Sequence, residues 1–136
     1  MTREATPLTV LVVEDDDDSR EVLGELIEYL GRRPMLAKDA TEALACVRKQ
    51  MPDIGLIDVS LPGIDGCELA RRLRALVGDR MRLIALTGHS DATIREEAAA
   101  AGFDDYWLKP IDSSAISALL AGTKSPGDSS TDHESS

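Results

Sequence analysis

The chain has 136 residues, 43% of them hydrophobic, which is enough for one domain with a single sizeable core. Its net charge is -10, and five consecutive acids, Glu14 to Asp18, carry half of it. With no basic face to displace counterions from phosphates, neither nucleic acid nor an anionic membrane is an expected partner.

The opening "MTREATPLTV" lacks the basic and then apolar regions of a secretory signal, and no stretch approaches a membrane-spanning length, so a cytoplasmic location is expected. Cys46 and Cys67 fall on different predicted helices and suggest neither a metal site nor a disulfide; both read as small, mostly buried hydrophobes. Residues 1–7 read as a leader and 8–121 as the folded domain. The Ser-rich, acidic tail 122–136 holds no large apolar residue and is expected to be disordered.

"TVLVV" from Thr9 to Val13 is a nearly continuous β-branched run, the pattern of a strand covered on both faces. From Ser19 the period becomes helical, with Val22, Leu23, Leu26, Ile27 and Leu30 on one stripe and Gly31 placed to end it. "PMLA" around Met35 is a second, weaker strand. Asp39 caps a helix with the stripe Ala40, Ala43, Leu44, Val47 and Met51, which Pro52 stops. "IGLID" from Ile54 to Asp58 is a buried strand. After the turn "LPGIDG", Leu69, Ala70, Leu73, Leu76 and Val77 mark a third helix closed by Gly78.

"RLIALT" from Arg82 to Thr87 is a fourth strand, and Asp91 can cap a helix through Ile94, Ala98 and Ala101 to Gly102. "YWL" from Tyr106 is a short fifth strand. Ile116, Leu119 and Leu120 mark a last helix ending near Ala121. Five alternating strand and helix units imply an α/β fold: a doubly wound, flavodoxin-like (βα)5 parallel sheet of order 2-1-3-4-5.

In such a sheet ligands bind beyond the carboxyl ends of the strands. Those ends carry Glu14 and Asp15 on the first, Asp58 on the third, Thr87 on the fourth and Lys109 after the fifth. Glu14, Asp15 and Asp58 converge at the switch point, and three adjacent carboxylates call for a positive partner. Hard oxygen ligands at an open rim suit Mg²⁺. Asp58, at the end of the third strand, is the candidate nucleophile for a phosphoryl group, with Lys109 and Thr87 placed to contact the transferred oxygens.

Those residues lie in "VLVVEDD", "PDIGLIDVSLPGIDG", "IALTG" and "AGFDDYWLKP", in that order. Together they make the chain resemble the receiver domain of two-component response regulators from Leu8 to about Ala121. "SLPGIDGCELARRLRAL" and "ALTGHSD" resemble receivers of hybrid sensor histidine kinases. The resemblance implies that Asp58 accepts a phosphoryl group from a phosphohistidine on a sensor histidine kinase or a histidine phosphotransfer protein. It implies that Asp15, Asp58 and the Ser60 backbone carbonyl bind Mg²⁺, with Glu14 completing the acidic pocket. Thr87 and Tyr106 are then the switch residues, and a downstream protein reads the face of the fourth helix, fifth strand and fifth helix. The Lys109–Pro110 peptide is expected to be cis. Such a domain assists its own phosphorylation and dephosphorylation without being a conventional enzyme.

Beyond Glu14 and Asp15, Asp18 reads as a helix cap and Asp16 and Asp17 as solvated charge. His89 reads as a solvated loop residue, His133 is assigned nothing, and Ser60 is placed to affect the lifetime of the phosphorylated state. A dehalogenase-type phosphatase would want two aspartates one residue apart followed by Thr or Val, whereas Asp15 and Asp17 are followed by Asp18 and Ser19. A calcium loop fails where Arg20 occupies a ligand position. The remaining alternative is a receiver-like interaction scaffold that works without phosphorylation.

Overall fold

The computed structural model describes residues 8–60, 65–88, 92–111 and 113–121. The expected leader, the tail, Leu61 to Ile64, His89 and the Asp91 cap lie outside them.

Five strands, β1 (Thr9–Val13), β2 (Arg33–Ala37), β3 (Ile54–Asp58), β4 (Arg82–Thr87) and β5 (Asp105–Leu108), form one sheet in the order β2-β1-β3-β4-β5. Every pairing is parallel. The helices between and after them are α1 (Asp17–Tyr29), α2 (Ala40–Lys49), α3 (Gly66–Val77), α4 (Ala92–Ala101) and α5 (Ser113–Ala121), with a short 3-10 turn at Gly78–Arg80. Fold class and strand order are those read from the sequence. None of the described helices is long and apolar enough to cross a membrane.

The apolar strands have a simple cause. Successive side chains of β1 point to opposite faces, so Leu11 and Val13 join one core with α2, α3 and α4, while Val10 and Val12 join another with α1 and α5. Pro34 is tolerated because β2 is an edge strand, where a missing N–H breaks no central ladder.

Helix ends follow local chemistry. Asp39 caps α2 by accepting from Glu42 N, and Asp65 caps α3 by accepting from Glu68 N, each at 2.9 Å. Gly31, Gly78 and Gly102 close α1, α3 and α4 at positive φ, as their positions in the sequence suggest.

At α1 the expectation is corrected: Asp16, not Asp18, is the cap, accepting from Ser19 N at 2.9 Å. The chain turns into helix one residue after Asp16, which leaves Asp17 and Asp18 in the first turn, where negative charge suits the helix dipole. Three stripe positions also differ. Val22 is 62% exposed and Leu76 is 43% exposed, because each lies at the margin of its stripe, beyond the sheet contact. Met51 falls outside α2, which ends at Lys49.

Arg74 on α3 makes a clamp that periodicity does not reveal. Its guanidinium donates to the carbonyls of Gly102, Gly78 and Met81 at 2.7–2.9 Å and to Asp104 Oδ2 at 2.7 Å. One half-buried side chain thereby joins the end of α3, the start of β4 and the turn into β5.

Candidate functional site

Strand register levels the carboxyl ends. Val13 pairs with Ile57, Asp58 with Leu86 and Thr87 with Leu108, so the residues at or just past these positions share one rim. Glu14, Asp58 and Thr87 are buried there, 2%, 5% and 1% exposed. Asp15 is exposed.

Lys109 Nζ lies 2.8 Å from Glu14 Oε1 and 3.0 Å from Asp58 Oδ2, bridging two buried carboxylates. Its backbone N–H donates to the Thr87 carbonyl at 2.7 Å, and the Lys109–Pro110 peptide is cis, as expected. Asp58 Oδ1 accepts from Ser60 N at 2.9 Å, and Glu14 Oε2 accepts from Asp16 N at 3.1 Å. Glu14, Asp15 and Asp58 each offer a carboxylate oxygen, all within 4.8 Å of one another.

Burial pushes the Glu14 carboxyl above its ordinary range, against the hydrogen bonds from Lys109 and Asp16 N. Burial alone would pull the Lys109 ammonium down, but its hydrogen bonds to Glu14 and Asp58 outweigh this and hold it above the usual lysine value. Among the described residues Lys109 is the one ammonium beside the three carboxylates. A divalent ion bound by hard oxygen donors matches the two charges left over, so the residues present fit Mg²⁺.

The phosphoacceptor candidate sits where two elements meet. Gly66 N, at the start of α3, donates to the Val59 carbonyl at 3.0 Å, and a Cβ on Gly66 would lie 2.7 Å from Val59 Cα. Only glycine lets α3 approach the end of β3 this closely. Beside the cluster, Val22, Leu23, Leu86, Pro110 and Ile111 line a mainly apolar groove of about 500 Å³. Exposed Val22 belongs to it.

Tyr106 does not enter the cluster. It is half-buried against the α4 side of the core, its ring 5.6 Å from the Arg95 guanidinium. Sequence reasoning used Arg20 only against a calcium loop and gave it no part in the site, yet it donates to the Glu14 carbonyl at 2.9 Å and pairs with Asp17. Asp17 is exposed, as read, and pairs with Arg20, while Asp16 is a cap, a correction to reading it as merely solvated.

Residues 10–121 match the family model for the response regulator receiver domain. The chain belongs to that family.

This receiver is 38% identical to an uncharacterized 14.6 kDa protein of Leptolyngbya boryana, over 77% of this chain and 81% of that one. It is 37% identical to the response regulator MprA of a Mycobacterium species, over 85% of its own length but only 48% of the relative's, so it spans about half of that protein. The solved receiver domain of the sensor histidine kinase PA1611 from Pseudomonas aeruginosa superposes with a TM-score of 0.76 at 32% identity, over 85% of this chain and 95% of that one. That structure carries a magnesium ion coordinated in its active site cleft.

Proposed function

We propose that this receiver is a phosphoacceptor switch in a two-component phosphorelay, with Asp58 as the acceptor. The observation that carries the reading is Lys109 bridging buried Glu14 and Asp58, with Asp15 beside them, on the rim of a receiver fold. The donor is a phosphohistidine on a sensor histidine kinase or a histidine phosphotransfer protein.

Asp15, Asp58 and the Ser60 backbone carbonyl would hold Mg²⁺, and Glu14 completes the acidic pocket. When bound, the ion offsets the repulsion between an anionic nucleophile and an anionic donor. A carboxylate oxygen of Asp58 attacks phosphorus, the P–N bond of the donor breaks, and its electron pair returns to the imidazole nitrogen, which takes up a proton. Ser60 N holds the other Asp58 oxygen during this step. The Lys109 ammonium, already 3.0 Å from Asp58, follows the new negative charge onto the phosphoryl oxygens, and the Thr87 hydroxyl contacts another.

Tyr106 then changes position against α4, and a downstream protein reads the face formed by α4, β5 and α5. The domain completes one transfer per cycle and assists its own dephosphorylation, so it is a switch rather than a conventional enzyme. The proposed location is the cytoplasm, with its phosphohistidine donor.

The test is intact mass after incubation with acetyl phosphate or phosphoramidate, with and without Mg²⁺, for the wild type and Asp58→Asn. Gain of one phosphoryl group that needs both Mg²⁺ and Asp58 is expected. No gain from either donor, at Mg²⁺ concentrations that saturate the protein, overturns the switch and leaves the phosphorylation-independent scaffold.

A further inference from the structure

We infer that Arg20 is a positioning residue for the cation site, acting through the backbone of the β1–α1 turn; the inference rests on the Mg²⁺ reading above. Its guanidinium donates to the Glu14 carbonyl oxygen at 2.9 Å and pairs with the Asp17 carboxylate, while its side chain is only 18% exposed. The Glu14 carbonyl belongs to the same planar peptide unit as the Asp15 nitrogen and Cα. Holding that oxygen therefore fixes the N–Cα bond on which the Asp15 side chain is carried.

The rest of the turn is held by other groups. Glu14 N donates to the Ala37 carbonyl at 3.1 Å, the Glu14 carboxylate receives Lys109 and Asp16 N, and Asp16 caps α1. Asp15 itself is exposed, with its carboxylate within 4.8 Å of the other two. Its placement depends on the peptide that carries it, and Arg20 holds that peptide.

The mode of contact matters as much as its strength. Lys109 pairs with the carboxylates of Glu14 and Asp58 and so competes for ligand oxygens. Arg20 binds a carbonyl and a carboxylate outside the triad, Asp17, and leaves the triad's own oxygens to a cation. The planar fork of arginine suits two acceptors set apart in this way; a lysine offers a single charged nitrogen.

Charge and positioning predict opposite outcomes when Arg20 is removed. On charge alone, taking a cation away from three carboxylates strengthens the attraction for Mg²⁺. On positioning, Asp15 is set loose and affinity falls by about tenfold, as when a supporting partner of a metal ligand is lost.

The experiment is calorimetric titration of Mg²⁺ at constant ionic strength into wild type, Arg20→Ala, Arg20→Lys and Asp15→Asn, with thermal midpoints measured in EDTA. The expected order is wild type tightest, Arg20→Lys intermediate through its remaining bond to the Glu14 carbonyl, and Arg20→Ala weakest of the three. Unchanged or tighter binding by Arg20→Ala overturns the inference. Should Arg20→Ala fail to fold, Arg20→Lys binding as tightly as wild type overturns it equally. If wild type binds no Mg²⁺, or Asp15→Asn binds as well as wild type, the metal reading itself is at fault.

Discussion

Replacing Gly66 by alanine sets a small gain in helix propensity against a backbone clash at the base of Asp58. Gly66 opens α3, and alanine is favoured over glycine in a helix by up to about 1 kcal/mol. Against this, the new Cβ would run into the Asp58 carbonyl oxygen and lie 2.7 Å from Val59 Cα and 3.0 Å from Asp58 C. These are backbone atoms of β3 and its exit, and no rotamer change can move them aside. Inserting a methyl group into such a contact costs roughly 1–3 kcal/mol, and the propensity gain is small in a first turn, so a net loss of about 1–2 kcal/mol is expected.

For a domain of this size that lowers the thermal midpoint by about 4–8 °C. Relief comes only by moving α3 away from β3, which also shifts Asp58, so Mg²⁺ affinity falls as well. Two other glycines serve as controls. Among the described residues a Cβ at Gly88 meets nothing within 4 Å, and one at Gly24 meets only the flexible Leu36 side chain at 3.2 Å. Differential scanning calorimetry of the three alanine variants gives the answer. A midpoint for Gly66→Ala at or above wild type, or equal losses at all three positions, would refute the close-approach reasoning.

Lys109→Met leaves Glu14 and Asp58 buried without their ammonium; allowing for the one-third exposure of that lysine, about 1–2 kcal/mol of stability should be lost in urea melts, and Mg²⁺ should restore part of it. Glu14 gives a pH dependence in EDTA. Its folded carboxyl lies above the ordinary value of 4.5, so its stabilising effect is full below that value and is lost as pH rises through the raised one. The urea midpoint of wild type relative to Glu14→Gln should therefore climb on acidification, and a flat difference from pH 7.5 to 4.5 contradicts it. Asp16→Ala removes the α1 cap and should lower the thermal midpoint by a few degrees, whereas Asp18→Ala should leave it in place; the reverse order would return the cap to Asp18.

Residues at strand ends were legible because parallel strands in register bring their carboxyl ends to one rim. Glu14, Asp15, Asp58, Thr87 and Lys109 could thus be grouped from strand boundaries alone. The α1 cap was not, since four successive aspartates offer chemically equal caps and only the backbone turn after β1 selects Asp16. Arg20 and Arg74 stayed hidden for another reason. Their partners are mainly main-chain carbonyls, which every residue carries and no side-chain pattern marks. Val22 followed the helical period but missed the sheet, because a stripe read from periodicity is wider than the surface one sheet face can cover.

The alternation of side chains along β5 gives two neighbouring aromatics separate allegiances. Tyr106 packs with the core under α4, and Trp107 with the core under α1 and α5. The one tryptophan of the chain is thus a built-in reporter for the far side of the sheet. A fluorescence change on Mg²⁺ binding or phosphorylation records a rearrangement on the α1 and α5 face, whose Leu23, Leu86 and Ile111 also line the groove beside the acidic cluster, while Arg95 and Tyr106 belong to the other face. A probe on α4 read alongside Trp107 would time the two faces separately.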